Sequence, residues 1–132
     1  MPLSTKILNL YSKLLDIAIK EFGIIVESGG TLYSQSGEPW KLRLYLCDGS
    51  FIDIYYSIKC KYSYHWDRRL TKDQIFRHDN APHQRWKDIP TFPKHFHNGS
   101  EDIVIPSYLS DNPEIALREF LNFTIKHIAK LL

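Results

Sequence analysis

Trp40-Lys41-Leu42-Arg43-Leu44-Tyr45-Leu46-Cys47 alternates apolar and polar residues, and Asp48-Gly49-Ser50-Phe51-Ile52-Asp53-Ile54-Tyr55 follows directly. Alternation at period two is the mark of a half-buried β-strand, whose successive side chains point to opposite faces. Asp and Gly both tolerate the positive φ of a type I′ turn, so Asp48-Gly49 reads as the tip of a β-hairpin. A two-residue loop sets Cys47 opposite Ser50 and Tyr45 opposite Ile52. Leu42, Leu44, Leu46, Phe51 and Tyr55 then share one face, the core face. Asp53 falls on that face too. A buried carboxylate needs a partner, so Asp53 is read first as half of a structural ion pair and second as a site residue.

The hairpin extends in both directions. Residues 57–66 continue the sheet, with Tyr62, Tyr64 and Trp66 on one side and Ser63 and His65 on the other. Residues 67–73 form a polar loop carrying Arg68, Arg69 and Lys72, and residues 74–78 return as a strand. From 79 to 100 no period holds, and Pro82, Pro90 and Pro93 exclude a helix or a central strand. A loop of that length is functional or disordered, and its aromatic residues argue for order. Ile103-Val104-Ile105 adds an edge strand stopped by Pro106.

Upstream, Ile7, Leu10, Tyr11, Leu14, Leu15 and Ala18 make one stripe of a helix over about 5–21, capped by Ser4 or Thr5 and ended by Gly23. Ile24-Ile25-Val26 starts a strand that Gly29-Gly30 breaks or bulges. Downstream, Asn112 caps a last helix with Pro113 in its first turn, and Leu117, Phe120, Leu121, Thr124, Ile128 and Leu131 form its stripe. His127 on this helix is read as a surface residue. The sum is a single α+β domain over residues 1–132. It is an antiparallel meander with both terminal helices on one face and a long His-rich loop and the site on the other.

Composition narrows the class. The chain has 132 residues and 43% hydrophobic content, as in a globular domain. No apolar run is long enough to cross a bilayer and the first residues lack a secretory signal, so the expected location is the cytoplasm. Two cysteines, Cys47 and Cys60, suit neither a disulfide scaffold nor a Cys-based zinc site. Net charge is +2, but residues 59–94 hold nine basic against four acidic residues, a local charge of +5. Such a patch points to a polyanion, most often nucleic acid.

Five of the six histidines and four of the six arginines lie within residues 62–99, threaded with aromatic residues. The words that stand out there are Tyr64-His65-Trp66, Arg77-His78-Asp79-Asn80-Ala81-Pro82-His83 and Thr91-Phe92-Pro93-Lys94-His95-Phe96-His97. Together with the turn Asp48-Gly49-Ser50, this stretch resembles the TumE-like family of small prokaryotic proteins, proposed as toxins of toxin–antitoxin modules. The resemblance covers most of positions 40–98. It implies a cognate antitoxin as partner, often a helix-turn-helix protein encoded alongside. It leaves Arg77, Asp79, Asn80, His83, His95 and His97 as the better site candidates, ahead of His78 and Lys94, where this chain departs from the family's pattern.

Three readings follow. The first is a metal-independent endoribonuclease. RNA cleavage by its own 2′-OH needs a base, an acid and positive charge on the phosphate. His83 with His95 or His97 would be the acid–base pair, Arg77 the phosphate clamp, and Asp79 or Asn80 an orienter of imidazole. Tyr64 and Trp66 would stack bases, with Arg68, Arg69, Lys72 and Arg85 as a basic rim for RNA. The second is a transition-metal site, zinc or similar, on His83, His95, His97 and Asp79. The third is a non-catalytic binding module, with the histidines satisfying loop carbonyls.

Overall fold

The structure, a computed structural model, describes residues 3–129. Its first helix, α1 (Leu3–Phe22), begins before Thr5, so Thr5 is a helical residue rather than a cap; the side chain of Ser4 lies outside the described residues. Tyr11, Leu14, Ile17, Ala18 and Phe22 are its buried stripe, spaced three or four apart.

Seven strands follow: β1 (Val26–Tyr33), β2 (Pro39–Leu46), β3 (Phe51–Tyr56), β4 (Tyr62–Arg68), β5 (Gln74–Asp79), β6 (His95–Gly99) and β7 (Val104–Pro106). Each pairs antiparallel with the next, so the sheet is a meander in sequence order. A one-turn helix, α2 (Arg69–Lys72), joins β4 to β5, and α3 (Pro113–Ala129) closes the fold. Asn112 caps α3, its Oδ1 accepting the N–H groups of Glu114 (3.0 Å) and Ile115 (3.1 Å). Leu131, expected in the α3 stripe, lies outside the described residues.

The fold class stands, and two expectations change. The hairpin register is one residue off. Tyr45 faces Phe51, Leu44 faces Ile52 and Arg43 faces Asp53, because the loop holds Cys47 to Ser50 rather than Asp48-Gly49 alone. Ser50 is the reason. Its N–H and hydroxyl both donate to Asp48 Oδ1, and its Oγ accepts the Trp66 indole N–H at 2.8 Å. The slip moves every β3 side chain to the other face. Ile52, Ile54 and Tyr56 join Leu42, Leu44 and Leu46 in the core, and Phe51, Asp53 and Tyr55 turn away from it. The alternative would have set Asp53 among leucines, at several kcal/mol.

The second change is the His-rich loop. It does not run from 79 to 100: Asp79 ends β5, and His95, Phe96 and His97 form β6 within the sheet. Only residues 80–94 are irregular, with a 3₁₀ turn at Gln84–Trp86.

Both long helices cover one face. α1 lies against β1 and β2, where Gly29 gives its Leu15 side chain room. The bulges of β1 fall beside Glu27 and near Tyr33, not at Gly29-Gly30. α3 lies on an aromatic layer, with Phe120 near Tyr64 and His78 and Phe123 near Trp66, Phe76 and Phe96. His127 belongs to this layer, 4.2 Å from Phe123 and 4.9 Å from Phe76 between ring centres, so it is a packing residue and not a surface one. Truncating the fully buried Trp66 to alanine would remove about 3–5 kcal/mol.

Candidate functional site

Alternation along the strands sends the remaining side chains to the face without helices. Because pairing is in register across five strands, Arg43, Asp53, His65, Arg77 and His97 stand opposite one another in a single row. Beside it, Ser63, Asp79 and His95 make a second row. Burial would raise the Asp53 carboxyl, but hydrogen bonds from Arg43 (2.8 and 2.9 Å) and the Lys41 ammonium at 2.8 Å hold it below its ordinary value. Asp53 is thus an ion-paired residue, facing away from the core.

The end of these rows is the densest part. Asp79 is buried between two histidines, with Oδ1 3.2 Å from His95 Nε2 and Oδ2 3.8 Å from His97 Nε2. Its Oδ1 also accepts the Ala81 N–H at 3.0 Å, and its Oδ2 accepts Arg77 Nε at 3.1 Å. The other end of the Arg77 guanidinium grips both carboxylate oxygens of Glu101 at 2.7 Å. Neither histidine is oriented by chance. His95 Nδ1 donates to the Pro93 carbonyl and His97 Nδ1 to the Glu101 carbonyl, each at 2.9 Å. A carbonyl only accepts, so each Nδ1 carries a proton, and both Nε2 atoms lie on the side of Asp79. Burial lowers the His97 pKa and Arg77 adds to this, against the opposing contribution of the Glu101 carbonyl. His95 is 1% exposed, and its Nε2 has no hydrogen-bond partner despite its closeness to Asp79. Among the described residues, Asp79, His95 and His97 are the group able to hold a metal ion, with ligand atoms within 4.8 Å of one another.

A concavity of about 330 Å³ opens beside this group, lined by Arg77, Asp79, His83, Arg85, Trp86, His97, Glu101 and Asp102. Trp86 stands beside the buried pair, its ring 6.1 Å from both His95 and His97, and the Arg85 guanidinium lies over the Trp86 ring at 4.6 Å. His83 and Arg85 are exposed. A second concavity of about 380 Å³, sharing Arg77, runs across the sheet past His65 and Arg43 to the exposed Trp40.

The structure therefore brings together His83, His95, His97, Arg77, Asp79 and Arg85, and separates others. Tyr64 and Trp66 are fully buried under α3, so their rings are not available to stack bases. Arg68, expected on a basic rim, is 3% exposed; it lies over Trp66 at 4.4 Å and points to Asp48 and Gln74. Arg69 and Lys72 are exposed, with Arg69 paired to Asp67 at 2.6 Å. His83 belongs to the rim and not to the buried trio. Asn80 ties the sheet together by accepting the Tyr62 N–H and donating to the Cys60 carbonyl. His78 is on the helix side, stacked on Phe96 at 4.0 Å, and burial together with Lys94 pushes it down to about 4.

Trp40, Lys41, Arg43 and Glu101 were not among the expected site residues. Lys41 and Arg43 alternate with Leu42 and Leu44, so period two along β2 places them on this face; Trp40 has the leucines' parity and gave no such signal.

The family model described as Toxin TumE matches residues 15–129. This chain belongs to the TumE toxin family. The match spans all seven strands and the Asp79–His95–His97 group, so the site described above lies within the TumE region. A toxin family implies an antitoxin partner in general. No curated protein and no solved structure matches the chain. Among the described residues, no helix of this TumE-family chain is long and apolar enough to cross a membrane.

Proposed function

We propose that this chain is the toxin of a toxin–antitoxin pair and that it cleaves RNA at the concavity beside Asp79 and His97. One observation carries the reading: an exposed imidazole, a stacked Arg–Trp pair and a buried carboxylate–imidazole floor border the same small space. Arg85 supplies charge for a phosphate and Trp86 a ring for a base, as single-stranded RNA requires. The exposed basic residues Arg69, Lys72 and Lys87 add attraction at longer range.

His83 takes the base role. Its acceptor nitrogen removes the proton of a 2′-OH, the 2′-oxygen bonds to phosphorus, the P–O5′ bond breaks, and the 5′-oxygen takes a proton from water in the open concavity. His95 makes no direct contact with RNA in this scheme, since it is buried. Arg77 holds Asp79 in place, its own charge taken up by Asp79 and Glu101. The partner is a cognate antitoxin that covers this face.

Purified chain is mixed with a defined RNA and the same RNA carrying one 2′-deoxy nucleotide at the cut position. Cleavage of the first to a 2′,3′-cyclic phosphate end, with the second left whole, is the expected result. His83→Ala lowers the rate by roughly 10²–10⁴-fold while the circular dichroism stays native. An intact RNA pool after exposure to folded wild-type chain, with any divalent ion present, overturns the reading.

A further inference from the structure

Three buried groups converge where nothing in the protein satisfies them all. His95 Nε2 is buried 3.2 Å from a carboxylate oxygen, yet it makes no hydrogen bond with it or with any other protein group. His97 Nε2 approaches the other oxygen at 3.8 Å. Such an arrangement calls for a cation between the acceptors. We infer that Asp79, His95 and His97 bind one divalent transition-metal ion of the zinc, manganese or cobalt class.

Four features fit. Imidazole nitrogen with a carboxylate oxygen selects a borderline first-row ion over magnesium or calcium. Ligands about 2.0–2.1 Å from such an ion stand roughly 3.3 Å apart in a tetrahedron; His95 to Asp79 matches at 3.2 Å, His97 to Asp79 is longer at 3.8 Å, and all three ligand atoms lie within 4.8 Å of one another. Each imidazole already donates its Nδ1–H to a backbone carbonyl, which fixes the ring and leaves Nε2 as the ligand, as metal-bound histidines require. Three protein ligands leave open positions, and Asp79 and His97 both border the concavity, where a phosphate oxygen could enter. The ligands come from adjacent strands in register, Asp79 directly opposite His95, so the site is preformed by the sheet.

The inference deepens the RNA-cleavage reading and rests on it for its purpose: the ion would draw charge from the scissile phosphate beside His83. Its test does not use RNA. Untagged full chain, free of any polyhistidine tag, is stripped with chelator and titrated separately with Zn²⁺, Mn²⁺ and Co²⁺ by calorimetry and thermal melting. One equivalent of at least one ion should bind and raise the melting temperature by several degrees, and Co²⁺ should give visible bands of nitrogen–oxygen coordination. Asp79→Asn and His97→Gln, each checked for native circular dichroism, should weaken binding by about 100-fold or more. His83→Ala should bind the ion as wild type does. The absence of stoichiometric binding and of any melting shift in wild type overturns the inference; so does a nuclear magnetic resonance spectrum of metal-treated protein with protons on both ring nitrogens of His95. The group would then be a buried imidazolium–carboxylate pair. Metal binding without RNA cleavage leaves this site standing and removes the ribonuclease reading, and cleavage by a chain that binds no ion does the reverse.

Discussion

Arg77 and Glu101 are joined by two parallel hydrogen bonds of 2.7 Å, one from each terminal nitrogen to each carboxylate oxygen. The pair ties β5 to the turn after β6, and the same guanidinium holds Asp79 at 3.1 Å. Lysine keeps the charge but cannot reproduce the two-pronged geometry. Arg77→Lys should therefore cost about 1 kcal/mol of stability, a modest value because Glu101 is half exposed to water. Activity should fall further than stability, since Asp79 loses its lateral support. Urea melts alongside RNA cleavage rates check this; equal losses in both would make Arg77 purely structural.

Ser50 anchors the hairpin loop and satisfies a buried indole. Ser50→Ala leaves the Trp66 N–H without an acceptor, which should cost about 1–3 kcal/mol and lower the melting temperature by roughly 3–15 °C. Thermal unfolding followed by tryptophan fluorescence reads it out. An unchanged melting temperature would mean that water takes the place of the hydroxyl.

Gly29 and Gly30 are neighbours with opposite tolerance. A Cβ on Gly29 would lie 2.8 Å from the Arg43 carbonyl oxygen and 2.8 Å from Leu15 Cδ1, whereas one on Gly30 meets nothing within 4 Å. Gly29→Ala should destabilise by at least about 2 kcal/mol as α1 is pushed off the sheet, and Gly30→Ala should be near neutral. Chemical denaturation of the two variants side by side decides it, and equal stabilities would contradict the packing described.

Four tyrosines set an alkaline limit. Burial raises Tyr11 and Tyr62 to about 12 and pushes Tyr56 and Tyr64 higher still. A folded pKa above the unfolded value near 10 means that the stabilisation is complete below about pH 10 and disappears as pH rises through the folded value. These phenols should ionise together with loss of helical ellipticity. Their ionisation in a still-native protein would contradict this.

Much of the architecture was legible because its signals are local. Asn112-Pro113 marks a helix start by capping and fixed φ, and the Leu42-Leu44-Leu46 alternation marks a strand. The register of the hairpin was not legible from Asp48-Gly49, because the loop is decided by Ser50 reaching Trp66, sixteen residues on. The strand His95–Gly99 was hidden for a related reason. Pro93 stops it on one side, and its pairing with β5 is a tertiary fact that period two over five residues does not reveal. Arg77, Asp79, His83, His95 and His97 were singled out by residue type and by the family resemblance, and the fold brings them to one place. The aromatic residues expected beside them were misplaced because Tyr64 and Trp66 look the same in sequence whether they face α3 or solvent.

Residues 80–94 leave Asp79 and return at His95, yet these two ends are held face to face by the ladder between β5 and β6. The middle of the intervening segment can therefore change in length without shifting the trio beneath it, provided that Ala81 and Pro93 at its ends keep their hydrogen bonds to Asp79 and His95. Under the proposed reaction the carboxylate–imidazole floor is anchored in the sheet while the base His83 and the Arg85–Trp86 pair ride on the segment above it, so the two halves of the site are held by different parts of the chain.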